Sequence, residues 1–410
     1  MIVPSRNMPW LTVIGVGEEG AEGLSATARA LIENAPWIIG GERHLTLCRS
    51  LIKGEAHSWG QPFSRGIEQV LARRGHPTLV LASGDPFFYG VGVTLAAHLS
   101  SEDMVCLPAP SSVSLACARL GWARQGCQVL SVCGRPMEVL RPFLQPGARL
   151  LVLCADETTP GLLLSWLTEL GFGQAQCHIL EALGGQQEKC ASCLAYEGIT
   201  EPVNRLCMVA LEIPQSTTQS ALSRAAGLPD ACFEHDGQLT KREVRAVTLS
   251  SLAPRAGELL WDIGGGCGSV SIEWMLTDPT CRAVAVERVP ERAARIARNA
   301  QMLGVPDLHI VQGEAPEALY NLPQPSAIFI GGGATAPDML EIAWSRLKPG
   351  GRIVVNAVVA ETEIRVLEAW QKWGGEVSRL SAARLTAVGS LHGFKPAMTV
   401  TQWVAWKPVE

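Results

Sequence analysis

Residues 259–269 read LLWDIGGGCGS. An apolar run ends on an acid, Asp262, and Gly264, Gly266 and Gly268 follow at alternate positions before a new helical stretch. Glycine lacks the Cβ atom that holds a ligand away from the backbone, and a strand entering a helix through such a turn presents free N–H groups. The spacing predicts a strand over 258–263, a ligand-cradling turn at 264–268 and a helix over 270–276. The next strand, 283–287, ends on Glu287, 23 residues beyond Gly264, where a carboxylate can accept both hydroxyls of a ribose.

A dinucleotide site also opens with a strand and glycines, and its fingerprint is G-x-G-x-x-G. Gly264 and Gly266 fill the first two places but Ser269 takes the third, whereas G-x-G-x-G is complete through Gly268. The turn therefore suits S-adenosylmethionine better than a pyrophosphate, with helix-to-strand packing as the plain alternative for its glycines. Around it the chain alternates. A helix over 240–252 opens with TKRE, Thr240 as N-cap and Glu243 at capping-box spacing. After the turn come helix 290–303, strands 308–312 and 326–330, helix 337–347, a KPGG turn, strand 352–358, helix 361–373 and a closing strand 399–406.

The first half has the same grammar. Strand 11–16, helix 25–34 capped by Ser25, strand 37–39 and strand 78–82 lead to Ser83-Gly84-Asp85-Pro86, where Asp85 can cap and Pro86 suits a first helical position. Strand 105–107 feeds a helix through Ser111 or Ser112, and strands follow at 129–132, 150–154 and 207–213. Residues 214–229, PQSTTQSALSRAAGLP, turn to Ser, Thr, Gln and small residues and read as a linker. The expected organisation is an α/β domain over 1–213, the linker, and an α/β domain over 230–410 with a mostly parallel sheet and an antiparallel closing strand.

Bulk composition bounds the rest. The 410 residues exceed the roughly 250–300 that one core supports. A net charge of −5 argues against a nucleic-acid partner. No apolar run reaches the ~18 residues of a membrane span, and Gly15 and Gly17 interrupt any secretion-signal core. Thirteen cysteines from Cys48 to Cys281, odd in number and scattered, fit a reducing cytosol rather than a disulfide framework. Cys190 and Cys193 form C-x-x-C with Cys177 and His178 upstream, but no second C-x-x-C exists. Small thiols in a sheet are the expectation, and no metal.

In the first half Gly15, Gly17 and Gly20 do satisfy G-x-G-x-x-G, and Glu42 lies near the distance of a ribose acid, so a nicotinamide site must be weighed. Glu18 and Glu19 would set two carboxylates against a pyrophosphate, and the helix waits until Ser25. A sulfonium donor without phosphate meets neither objection.

Two family resemblances rest on ordered motifs. DGQLTKREVRA, DIGGGCGSVSIEW, AVERVPER, GEAPEAL, FIGGGAT and LKPGGRIVVNAV resemble class I methyltransferases that methylate precorrins, in particular the decarboxylating C15-methylase domain. The resemblance implies cofactor contact at Thr240, Gly264, Gly265, Gly266, Cys267, Gly268, Glu287 and Ala315, with Cys267 where such turns commonly carry Thr. FIGGG lacks the acidic motif of DNA amino-methylases, and Gly331, Gly332 and Gly333 can open space for a macrocycle. Lys241, Arg242 and Arg245 are candidates to meet its rim carboxylates. His235, Glu243 and His392 are the guesses for the proton donor of a decarboxylation, and no catalytic residue is assigned.

VIGVGEEGAEGLS, ASGDPFFYGVG, PAPSSVSLA and LVLCADETTP resemble the tetrapyrrole methylase family, precorrin C5-methylase branch. That implies cofactor contact at Gly84, Asp85, Phe88, Ser111 and Ser112, with Gly17 shaping the first loop, although Glu18 stands where a proline is usual. Together the resemblances imply one cytoplasmic enzyme with one S-adenosylmethionine per domain. It would methylate a tetrapyrrole at carbons 5 and 15, remove the ring C acetate carboxyl, and assemble as a homo-oligomer, dimer or tetramer. Another tetrapyrrole substrate, or a nicotinamide or cofactor-sensing role for the first half, stands as the alternative.

Overall fold

The structure is a computed structural model and describes residues 9–217 and 220–409. The chain forms two compact units. One combines the chain up to Gly134 with Pro146–Ser220, and the other combines Arg135–Gln145 with the chain from Ala221 onward.

The first unit holds two sheets. Strands β1 (Leu11–Val16), β2 (Trp37–Gly40), β3 (Glu55–Ser58), β4 (Thr78–Ser83) and β5 (Met104–Leu107) pair in the order β3-β2-β4-β1-β5, all parallel. β1 is a near-continuous apolar run because both its faces are covered: Leu11 and Val13 enter one core cluster, Ile14 and Val16 the other. Strands β6 (Cys127–Ser131), β7 (Arg149–Leu153), β8 (Gln176–Glu181), β9 (Lys189–Leu194) and β10 (Cys207–Glu212) form the second sheet, β6-β7-β10-β8-β9. Only its β6–β7 pair is parallel.

The second unit carries β11 (Leu259–Ile263), β12 (Arg282–Glu287), β13 (His309–Gln312), β14 (Ala327–Ile330), β15 (Arg352–Ala357), β16 (Glu376–Leu380), β17 (Ala383–Val388), β18 (Leu391–Pro396) and β19 (Val400–Trp406). Seven of them make one sheet, β13-β12-β11-β14-β15-β19-β16, in which β19 runs antiparallel to both its neighbours. β17 and β18 stand apart as a hairpin. Alternate residues of β11 split between two cores, Leu260 on one face and Trp261 and Ile263 on the other. Strand order reverses between β11 and β14, the crevice where open α/β sheets take ligands.

Several local expectations change. No helix begins at Pro86: Asp85 Oδ1 accepts the Phe87 N–H at 2.9 Å, which closes a side-chain turn in competition with helix, and the helix is Val91–Ala96. Thr240 does not cap. The helix is Arg242–Leu252 after Lys241, and Asp230 Oδ1 takes the Arg242 N–H at 2.9 Å. Within 214–229, residues 218 and 219 lie outside the described residues, but Leu222 and Leu228 are buried in the second unit's core, so this part is packed chain rather than tether. Cys190 and Cys193, three apart on β9, point to opposite faces, with Cys193 across from Cys177 and Cys190 across from Leu180.

Candidate active sites at the strand ends

In the second unit the ends of β11, β12, β14 and β15 open into a cavity of about 1120 Å³. One wall is the glycine turn. The N–H groups of Gly264 and Gly265 both reach the Val286 carbonyl, at 3.0 and 3.1 Å, which ties the turn to β12. Gly264 and Gly268 have φ of +73° and +78°, and a Cβ would lie 2.9 Å from the Gly332 carbonyl oxygen at the first and 2.8 Å from Ile296 at the second. Both glycines are therefore demanded by left-handed backbone and by close approach.

Glu287 is buried at the end of β12. Its Oε2 accepts the Gly266 N–H at 2.9 Å and its Oε1 the Val289 N–H at 3.0 Å, so the carboxylate is fixed and each oxygen keeps a lone pair for a hydroxyl. Asp262, also buried, accepts the Ser271 N–H at 3.0 Å. Burial pushes its carboxyl up to about 6 against the Ser271 hydrogen bonds, and the Glu287 charge adds to the rise.

Thr240, Lys241, the whole 264–267 turn, Glu287, Ala315 and Gly331–Gly333 all line this one cavity. Gly268 stands behind it against Ile296, and the Cys267 side chain is buried in the core while its carbonyl accepts from Asn299 Nδ2 at 2.9 Å. Two of the basic candidates leave the site. Arg242 is exposed and away from the lining. Arg245 is wholly buried and pairs with Glu273 at 2.5 Å, Asp230 at 3.3 Å and the Thr240 and Leu228 carbonyls. It is a core cation that holds the Thr240 segment in place, because it lies on the inward face of its helix.

Of the proton-donor guesses, His235 and His392 are exposed and do not line the cavity, and Glu243 lines it but is bound at 2.6 Å by Arg384, whose hydrogen bond holds that carboxyl below its ordinary value. Sequence reasoning missed Asn356, Arg384, Thr386 and Lys395, which also line the cavity. Asn356 is fixed by Thr248 and Gln402, at 2.9 Å each.

In the first unit the ends of the adjacent strands β4, β1 and β5 meet. The Gly84 N–H donates to the Val16 carbonyl at 3.1 Å, and the Gly84 carbonyl accepts the Ala109 N–H at 3.0 Å. A Cβ on Gly84, where φ is +45°, would lie 3.1 Å from both the Pro110 carbonyl oxygen and the Ser111 Cα. Gly84, Asp85, Ser111 and Ser112 thus follow the ends of neighbouring strands of one sheet, with Gly17 just past the end of β1. Ser111 caps the helix Ser112–Leu120 by accepting the Ser114 N–H, and Ser112 is exposed. Phe88 packs on the core of the second sheet. Glu18 is paired with Arg43, so its repulsion of a phosphate is smaller than the sequence suggests. The Gly20–Gly23 turn still precedes the helix Ala26–Asn34, which keeps that N-terminus late.

The tetrapyrrole (corrin/porphyrin) methylase family matches residues 11–197, and the precorrin methyltransferase domain matches residues 231–407. Over 400 residues, 98% of this chain and 97% of the relative, the sequence is 54% identical to the precorrin-6Y C(5,15)-methyltransferase (decarboxylating) of Sinorhizobium sp. The protein of that name from Mycobacterium tuberculosis (strain CDC 1551 / Oshkosh) is 37% identical over 402 residues, 97% of this chain and 100% of the relative. A probable cobalt-precorrin-6B C(15)-methyltransferase (decarboxylating) of Saccharolobus solfataricus is 34% identical over 154 residues, 36% of this chain and 77% of the relative.

Proposed function

The chain belongs to the precorrin-6Y C(5,15)-methyltransferase (decarboxylating) family, and from that premise we propose how its two units divide the work. The first methylates carbon 5 of precorrin-6Y. The second methylates carbon 15 and promotes loss of the ring C acetate carboxyl, giving precorrin-8X on the route to cobalamin. Each unit uses one S-adenosylmethionine.

S-adenosylmethionine, when bound, supplies a methyl group on a sulfonium whose leaving group is a neutral thioether. The residues of the second unit fit such a donor: the glycine turn admits close backbone approach, Glu287 is fixed to receive ribose hydroxyls, and no dinucleotide third glycine is present. Methylation of an electron-rich ring carbon then rests mainly on alignment. The observation that carries the reading is that the turn, Glu287, Ala315 and the open Gly331–Gly333 loop share one cavity of about 1120 Å³. Ligand pockets commonly span about 300–1,000 Å³, so this one has room for a macrocycle beside the donor. In the first unit, support is the convergence of Gly84, Asp85, Ser111 and Ser112 at the ends of neighbouring strands.

Among the described residues no helix is long and apolar enough to cross a membrane, in keeping with a cytoplasmic enzyme. Assembly into dimers or tetramers is supported by exposed apolar side chains on the hairpin, including Leu391 and Phe394, and light scattering measures it. Mass spectrometry of the product from the purified chain tests the chemistry: two methyl gains with one carbon dioxide lost are expected. A single methyl gain, or NADPH binding to the first unit, overturns the division of labour.

A further inference from the structure

The cavity of the second unit is lined by five cationic side chains, Lys241, Arg288, Arg292, Arg384 and Lys395. Three already have carboxylate partners. Arg288 lies 3.5 Å from Glu314, Arg292 lies 2.9 Å from Asp236, and Arg384 lies 2.6 Å from Glu243 and 3.1 Å from Asp230. Lys241 and Lys395 have no acidic partner among the described residues. Of the carboxylates in the lining, Glu314 and Glu243 are neutralised by these arginines, while Asp262 and Glu287 are buried at the glycine turn. The uncompensated charge away from the turn is therefore positive and sits on two ammonium groups.

Lys395 stands directly opposite Arg384 across the β17–β18 ladder. Like charges in that relation destabilise a hairpin, and Glu243 and Asp230 relieve Arg384 alone. Alternation along the strands puts Arg384, Thr386 and Lys395 on one face and Leu385 and Phe394 on the other, and the first three line the cavity while Leu385 and Phe394 do not. Arg384 ties the hairpin to Glu243, on the helix that Lys241 precedes, and to Asp230. Lys241, Glu243, Arg384 and Lys395 all line the cavity, with Glu243 bonded to Arg384 and Arg384 opposite Lys395.

We propose that Lys241 and Lys395 are the groups that grip the rim carboxylates of the macrocycle in the second unit, with the hairpin as a strap set in place by Arg384. This rests on the reading that the unit takes an acid-rich tetrapyrrole. An ammonium without an internal partner has no ion pair to break when a carboxylate arrives, and a charge-assisted bond orients the ring while leaving the methyl transfer itself untouched. Both lysines are positioning residues.

The test is binding by the full chain, independent of turnover. Fluorescence titration uses uroporphyrin, an octacarboxylate tetrapyrrole, and its octamethyl ester, fitted to two sites because the first unit also takes a tetrapyrrole, and the affinities compared are those of each site separately. Lys395→Gln and Lys241→Gln should each weaken uroporphyrin binding roughly tenfold and flatten its salt dependence. Lys395→Arg should restore it, and S-adenosylmethionine affinity should not change. The tip variant His392→Gln should match the wild type. With precorrin substrate, KM should rise while kcat holds. Equal affinity of all variants for uroporphyrin, tight binding of the ester, or a parallel loss of S-adenosylmethionine binding overturns the proposal. Because uroporphyrin is a probe and not a substrate, the binding results do not depend on which carbons the enzyme methylates, so a failure there is distinct from a failure of the proposed reaction.

Discussion

Gly264 shows what the turn requires of single residues. Its φ is +73°, and a Cβ there would meet the oxygen, nitrogen and Cα of Gly332 at 2.9–3.1 Å. The obstacle is backbone and cannot swing aside, so Gly264→Ala must push the ends of β11 and β14 apart. The variant should lose S-adenosylmethionine affinity at the second site by more than about tenfold, read by calorimetric titration, with carbon 5 methylation retained. Asp262 adds a pH effect. Its carboxyl is raised to about 6 from 3.8 by burial, so the folded protein binds the proton more tightly than the unfolded chain does. Stability is then lost as pH rises through about 4 to 6, and the cost is complete above that window. Asp262→Asn removes it: the variant's stability relative to wild type should improve by up to about 3 kcal/mol between about pH 4 and about pH 8, measured by urea unfolding. The glycines and Glu287 were legible because backbone geometry and ribose chemistry restrict which residue can stand there. Arg245 was not. Its partner Glu273 is 28 positions away, and adjacency to Thr240 made it resemble a ligand contact when it is a core ion pair.

Among elements, the helix Arg242–Leu252 is held less by its own ends than by that ion pair. Arg245 and the Gly227 and Leu228 N–H groups together satisfy the Glu273 carboxylate, at 2.5–3.0 Å, joining this helix, the helix Ser269–Thr277 and the segment that carries Thr240. Arg245→Met strands a buried carboxylate, and removing one partner of such a pair typically costs about 3–5 kcal/mol. Unfolding of the second unit should shift by that order, and S-adenosylmethionine should bind more weakly there because Thr240 is freed. The double variant Arg245→Met with Glu273→Leu removes the uncompensated charge but leaves the Gly227 and Leu228 N–H groups without their acceptor, so it should recover only part of the stability, and the part recovered measures the cost of the stranded charge. Strongly periodic elements were readable: the helix predicted over 290–303 is Pro290–Leu303, where Ala293, Ile296, Ala300 and Leu303 form a buried apolar stripe. The hairpin was missed because Ala383–Val388 and Leu391–Pro396 are mostly exposed and lack an apolar face turned to a core. Its turn carried the available signal, Gly389-Ser390 between two β-prone runs. β9 was missed for the same reason, its residues Lys189–Cys193 being exposed or half-buried.

For the whole molecule, composition and alternation disclosed two α/β halves, but not which pieces of chain each unit takes. Arg135–Gln145 precedes the midpoint in sequence and yet belongs to the second unit. Gln301 Nε2 donates to Glu138 Oε1 at 2.8 Å, and a Cβ on Gly304 would lie 2.6 Å from Pro142 and 2.8 Å from the Glu138 carbonyl oxygen. A pattern of apolar residues cannot reveal such a return, because the segment is recognised through backbone approach at a glycine. A fragment beginning at residue 221 leaves this side of the helix Pro290–Leu303 without its cover and should unfold at lower urea than the same unit in the full chain. The two-site organisation has its own test in paired variants of the intact protein. Gly266 has φ +60° and lies at the cavity, where a Cβ would come 3.3 Å from the Gln238 carbonyl oxygen, so Gly266→Val pushes a branched side chain toward the cofactor. Gly84→Val does the same against Pro110 and Ser111. Each variant should bind one equivalent of S-adenosylmethionine where the wild type binds two. Gly266→Val should yield a product methylated once and still carrying its acetate carboxyl, whereas Gly84→Val should yield one methylated once and decarboxylated. If both variants gave the same product, the two methylations could not be assigned to separate units, whatever the cofactor stoichiometry.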